Sequence, residues 1–344
     1  MRRRSPRKPY TDTLQEEADG NHSDSPGGSG RDCWFGARST AIVHVVTAEA
    51  LWHELGRPQI PATIWQAPFD YDPEHLHSLC RCQAEGRTPD PDDLMNYAED
   101  LSFEEEVQPD LFVFLLPVCL KAWSTHLLGQ GAAYLGFVEQ YWCALNKRPG
   151  ALGLLSEKQR SAVERYFQEA ILMAIDGSRN LRSNASKSAC YRWFDDLGSF
   201  ATIFPGLRYL WLSWWNLDSE GRAIGALQYL SCLMYETGSN PAFAEWTPTR
   251  GGGPPTLWSD SMAVNDQPWD PQNVSFLRSV LVPSQLFSAI NRCLERLANP
   301  EDQQIALKIR NDFECQRPLL ELRIEQLLGI LSTDRSYLAG EWPI

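Results

Sequence analysis

The sequence predicts an all-α fold, a multi-helix bundle of mainly antiparallel helices, on three observations. Apolar residues recur at helical spacing in one segment after another. Capping residues or Asx-Pro pairs stand in front of many of these segments, and Gly or Pro stands behind them. The links between the C-terminal segments are short, which makes consecutive helices antiparallel neighbours.

Taken in order, residues 1–31 are rich in Ser, Pro, Gly, Asp and Arg and read as a disordered tail. Its basic start, MRRRSPRKPY, has no apolar stretch behind it and is not a secretory signal. STAIVHVVT (39–47) is β-branched and predicts one short strand. Thr47 then caps a helix, AEALWHELG, that stops at Gly56. PQIPATIWQAP is punctuated by Pro and predicts an extended segment. Asp72-Pro73-Glu74 and Asp90-Pro91-Asp92 each open a further helix, the first ending at Gly86. PDLFVFLLPVCLKAWSTHLLG is apolar on most sides and predicts a central helix kinked or broken at Pro117. A helix over AAYLGFVEQYWCALNK follows. Ser156 and Gln159 then form a capping box for a helix ending at Gly177. In the second half, GLRYLWLSWWNL is apolar and aromatic, and Asp218 or Ser219 caps RAIGALQYLSCLMYE. Residues 239–270, with Trp246, Trp258 and Trp269, read as an ordered covering loop. Pro283, Asn299-Pro300 and Pro318 each start a C-terminal helix. These elements make one helical domain over 33–344, with sub-bundles 33–177 and 190–344. The stretch 115–142 also echoes 209–233, through either a duplicated hairpin or chance.

Apolar residues make up 43% of the 344, enough for a sizeable core, and the 13 Trp residues point to large packed faces. The nine Cys are an odd number, several sit inside apolar runs, and the chain is long for a disulfide scaffold. That pattern predicts reduced, buried thiols and a cytoplasmic location. The longest apolar run, Leu111–Leu120, falls short of the about 20 residues a membrane span needs. A net charge of −13 disfavours nucleic acid and anionic membrane surfaces and favours basic partners.

The residues offer no catalytic signature. His75-x-His77-x-x-Cys80-x-Cys82 holds soft and imidazole ligands, but on a helix only residues three or four apart share a face. No metal and no cofactor is therefore expected there. His53-Glu54 opens a zinc-protease pattern whose second His is replaced by Arg57. The Gly-containing stretch 30–39 lacks the Lys of a phosphate loop, and Gly129-Gln-Gly131 follows no strand. What does stand out is an acidic belt over 85–110, with ten carboxylates against Arg87 alone. It predicts a docking face for a basic protein, centred on Glu104, Glu105, Glu106 and Asp110. The leading reading is thus a non-enzymatic binding or accessory protein. The alternative is an enzyme of unrecognised type, with a pocket under the Trp-rich loop 246–269 and His126 or Glu139 among its polar groups.

The stretch 88–175 carries DLMNYAEDLSFEEEVQPDLF, FLLPVCL, FVEQYW and LSEKQRSAVERYF in that order. In this it resembles a family of uncharacterised bacterial all-α domains. The resemblance covers about a quarter of the chain. Such families often neighbour toxins or other accessory systems, and an immunity-type role, masking a toxin, is one concrete version of the binding reading above. The resemblance implies no reaction and no catalytic residue.

Overall fold

The computed structural model describes residues 47–64, 73–103, 107–147, 149–182, 189–235, 239–243 and 268–333. The chain divides into two units, residues 1–44 and 45–344. The described residues all belong to the second, so the expected tail and the body of the 39–47 strand lie outside them.

Among the described residues 76% are helical and none is in a strand. The helices are α1 (Ala48–Glu54), α2 (Glu74–Glu85), α3 (Pro91–Phe103), α4 (Pro109–Leu127), α5 (Leu135–Lys147), α6 (Pro149–Gly153), α7 (Glu157–Asp176), α8 (Ala189–Ile203), α9 (Leu207–Trp215), α10 (Glu220–Met234), α11 (Pro271–Val280), α12 (Pro283–Leu294) and α13 (Pro300–Leu331). A short 3-10 turn over Ala132–Tyr134 joins α4 to α5.

Local chemistry sets most of the boundaries. The Thr47 hydroxyl accepts the Ala50 N–H at 3.1 Å, and Asp90 Oδ1 accepts the Asp92 N–H at 2.8 Å. Ser156 and Gln159 cap each other reciprocally in front of α7. Ser219 caps α10, and Asn299 caps α13 ahead of Pro300. Gly86 ends α2 in the left-handed conformation, at φ 67°, where a residue with a Cβ is strained.

Neither interior proline breaks its helix. α4 continues through Pro117 without a break. α13 continues through Pro318 instead of restarting there. Pro318 is exposed, so water can reach the carbonyl that its missing N–H leaves without a helical partner. Phe313 and Leu320 anchor the helix in the core on either side. At 32 residues, α13 is roughly 48 Å long.

One continuous apolar core runs from Leu51 to Leu331. In the first half α4 is central, with thirteen of its nineteen residues buried. This explains why α4 is apolar on most sides. It is long and apolar enough to span a membrane by composition, yet 72% of its most apolar 18-residue stretch is buried inside the structure. Around it α2 packs on α3 and α4, α3 packs closely along α5, and α1 lies across α4 and α7. In the second half α10 is surrounded by α7, α9, α12 and α13. Helix α8 is buried between the halves and touches α4, α5 and α7.

The tryptophans fill two aromatic clusters. Trp123 and Trp142 meet edge-on at 6.0 Å and both pack on Phe167. Trp193, Trp211, Trp214 and Tyr229 form the second, with Trp211 and Trp215 stacked at 4.9 Å. Beside the first cluster sits Asp196, only 3% exposed. Its Oδ1 accepts the indole N–H of Trp123 at 2.8 Å and that of Trp142 at 2.6 Å.

The turn from α8 to α9 is held by side chains. The Asn273 amide donates to the carbonyls of Ala201 and Phe204 and accepts the Leu207 N–H. Gln168 donates to the Gly206 carbonyl at 3.0 Å. A Cβ on Gly206 would come within 1.8 Å of Glu164 Oε1, so a larger residue here would have to displace the ends of the Glu164 and Gln168 side chains.

Candidate partner-docking site

An open cleft of about 650 Å³ lies between α1, the segment after it, the C-terminal end of α2 and one face of α4. Its shape follows from local backbone chemistry. Gly56 and Arg57 take positive φ, 90° and 56°, which turns the chain back after α1. Pro58–Ile60 then pass beside Trp52, whose indole N–H donates to the Pro58 carbonyl at 3.3 Å. The Arg57 guanidinium stands 6.0 Å from the Trp52 ring centre and its Nε donates to His53 Nδ1 at 2.8 Å. The residue that spoils the zinc-protease pattern thus holds the first His of that pattern.

On α4 the cleft-lining residues are Phe114, Val118 and Lys121. Spacings of four and three put them on one helix face. Phe114 and Val118 form an apolar floor and Lys121 is an exposed cation at one end. Ala84 and Ile60 line the opposite side, both exposed. Glu85 and Arg87 at the rim form an ion pair at 2.6 Å, which leaves that edge locally neutral. The sequence reading did not single out this cleft. The available signal was an apolar i, i+4 pair on α4 followed by a Lys.

The acidic belt divides by role. Asp90 is the cap of α3. Asp100 lies 2.8 Å from His75 Nε2 and ties α3 to α2. Asp110 Oδ1 accepts from Gln108 Nε2 and from the Leu111 N–H, at the start of α4 where a negative charge is favoured. It is nonetheless exposed. Asp92 and Glu99 lie seven residues apart on the outer side of α3, opposite its buried Leu94, Tyr97, Ala98 and Leu101. Among the described residues no ion pair engages either of them. Glu104, Glu105 and Glu106 lie outside the described residues.

The remaining sequence candidates are spread apart. His75 is buried against Asp100, Cys80 is buried, and the Cys82 thiol contacts the Thr88 carbonyl. Burial pushes the Cys80 thiol up to about 11, which keeps it protonated near neutrality. Among the described residues no group of three His, Cys, Asp or Glu side chains is placed to hold a metal. His126 is buried in the last turn of α4, with Nδ1 3.1 Å from the Gly131 carbonyl. Glu139 is exposed on α5, and neither residue lines the cleft. Trp246 and Trp258 lie outside the described residues, and Trp269 is buried with its backbone N–H on the Leu331 carbonyl.

Comparison with family models, with curated proteins and with solved structures finds no match.

Proposed function

We propose that this chain is a non-enzymatic binding or accessory protein of the cytoplasm that docks a basic protein through its acidic face. Masking of a basic toxin, an immunity-type role, is one concrete version, supported by the net charge of −13. The observation that carries the reading is the outer side of α3, where Asp92 and Glu99 have no ion pair among the described residues. A carboxylate already matched by an Arg gains little from a partner. An unmatched one gives complementarity and speeds association. Asp110 extends the same acidic run, and Glu104, Glu105 and Glu106 complete it in sequence.

The test is affinity capture from the native host with wild type and with the triple variant Glu104→Lys, Glu105→Lys, Glu106→Lys. The expected result is a basic protein retained by wild type at physiological salt and lost both from the variant and when salt is raised. Retention of the same proteins by both forms would remove the acidic face from the reading.

A further inference from the structure

The turn that follows α7, Ser178–Arg182, is held from two sides. Gln228 on α10 donates to the Asn180 and Leu181 carbonyls, both at 3.3 Å. Asp302, in the first turn of α13, accepts the Leu181 N–H on Oδ1 at 3.0 Å. Each of these side chains is left with a second oxygen. Gln228 Oε1 and Asp302 Oδ2 are buried without a hydrogen-bond partner, and so is the hydroxyl of Ser178, which opens the turn. Asp302 and Gln228 are each 2% exposed and Ser178 is 5% exposed. Aromatic side chains aside, these are the only such groups among the described residues. Buried polar atoms of native cores normally find partners, so three such oxygens around one turn point to something that serves them.

We propose that Asp302, Gln228 and Ser178 bind one small monovalent cation beside this turn. Gln228 Oε1 and Asp302 Oδ2 belong to groups whose other polar atom touches Leu181, so each lies within about 6 Å of the Leu181 backbone. Carboxylate and amide oxygens can only accept, and small hard cations take oxygen ligands of these kinds. Charge separates an ion from a water molecule. Burial raises the Asp302 carboxyl above its ordinary value, and Glu220 and Glu301 add to the rise. Among the described residues no Lys or Arg forms an ion pair with it. A buried charge is normally paired or coordinates a metal. Water would satisfy the acceptors but bring no counter-charge. The charge of the ion follows from the same residues. One carboxylate balances one positive charge, and among the described residues no group of three His, Cys, Asp or Glu side chains forms, as a zinc or calcium site would need. The ion ties the turn to α10 and α13, so its binding is read as stability.

The experiment is urea unfolding of the full chain at constant ionic strength, with choline chloride replaced stepwise by sodium chloride. Choline screens charge as sodium does but is too large for a buried site. Wild type is compared with Asp302→Asn, which keeps the shape and an acceptor for Leu181, and with Ser178→Ala. The expected result is a wild-type midpoint that rises with sodium and saturates. The rise is absent in Asp302→Asn, and in Ser178→Ala half of it takes about tenfold more sodium. The sodium NMR line, broadened more by folded wild type than by folded Asp302→Asn, gives a second readout that involves no unfolding. Equal wild-type midpoints in the two salts, or a sodium effect undiminished in Asp302→Asn, overturn the cation site and leave these oxygens to internal water.

Discussion

The aromatic cluster around Phe167 and the one around Tyr229 bury their indoles equally deeply, but they treat the indole N–H in opposite ways. In the first, Trp123 and Trp142 both donate to Asp196, a carboxylate from a third helix. In the second, Trp214 donates to the Arg222 carbonyl, while the buried N–H groups of Trp193 and Trp215 find no acceptor among the described residues. A buried donor without a partner costs on the order of 1–3 kcal/mol. The second cluster sustains that cost by ring packing, with five large aromatics in mutual contact. The first is organised around a polar group that specifies which rings meet. The contrast teaches that Trp-rich cores can be built either by area or by a shared acceptor.

The largest effect expected from this contrast is at Asp196. Asp196→Leu strands two indole donors and should cost roughly 2–5 kcal/mol, read as a drop in the urea unfolding midpoint. A loss under about 1 kcal/mol would mean that the carboxylate contributes no more than an apolar filler, and the distinction between the clusters would collapse.

A smaller effect comes from paired indole-to-phenyl changes. Trp123→Phe and Trp193→Phe remove similar ring volume from sites of the same near-zero exposure. Only the first also breaks a hydrogen bond. Trp123→Phe should therefore be the more destabilising by about 1–2 kcal/mol, and equal losses in chemical denaturation would contradict the role given to Asp196.

The smallest effect concerns a second buried carboxylate, Asp302, which accepts a backbone N–H instead of an indole. Asp302 Oδ1 takes the Leu181 N–H at 3.0 Å, and Gln228 holds the carbonyls of Asn180 and Leu181 from α10. Burial raises the Asp302 carboxyl above its ordinary value, against the lowering effect of the backbone bonds at Leu181 and Arg182. The folded chain thus keeps this proton to higher pH than the unfolded chain does. The stability it contributes is fully present below about pH 3.9, the ordinary Asp value, and is lost as pH rises through the raised one. Wild type should lose stability relative to Asp302→Asn over that rise. Parallel stability–pH curves for the two proteins would place Asp302 outside the set of strained acids.

Much of the helical architecture was legible because its signals are local. Thr47, Asp90, Ser156, Ser219 and Asn299 each sit in front of a helix and cap it in the structure. Three helices went unread, the five-residue α6 from Pro149 and two longer ones for different reasons. α11 has the same Asp-Pro opening as the others, at Asp270-Pro271, but lies at the edge of a segment read as loop. α8 shows buried residues at 193, 194, 197, 200 and 201, a helical spacing, but Asp195-Asp196 interrupts the apolar stripe. A carboxylate on the inner face looks like a break until its donors are known, and these come from residues 54 and 73 positions away. Pro318 misled because a proline's effect depends on whether its orphaned carbonyl faces water, which sequence does not state. Of the candidate docking site, the acids were legible and the cleft was not. The cleft is made by a backbone reversal at Gly56-Arg57 that brings Ile60 opposite Ala84.

The capping box of α7 reaches beyond its own helix. Gln159 Oε1 accepts the Ser156 N–H at 3.0 Å, while Nε2 of the same side chain donates to the Leu55 carbonyl at 2.8 Å. Seven residues of helix do not hold together in isolation, so α1 persists by docking, through Leu51, Leu55 and the Glu54–Arg165 pair. Any excursion that lifts α1 away also releases one side of the Gln159 amide and loosens the first turn of α7. The amides of α1 and the Gln159 amide therefore belong to a single opening unit, and deuterium should enter them together although about a hundred residues of chain lie between them.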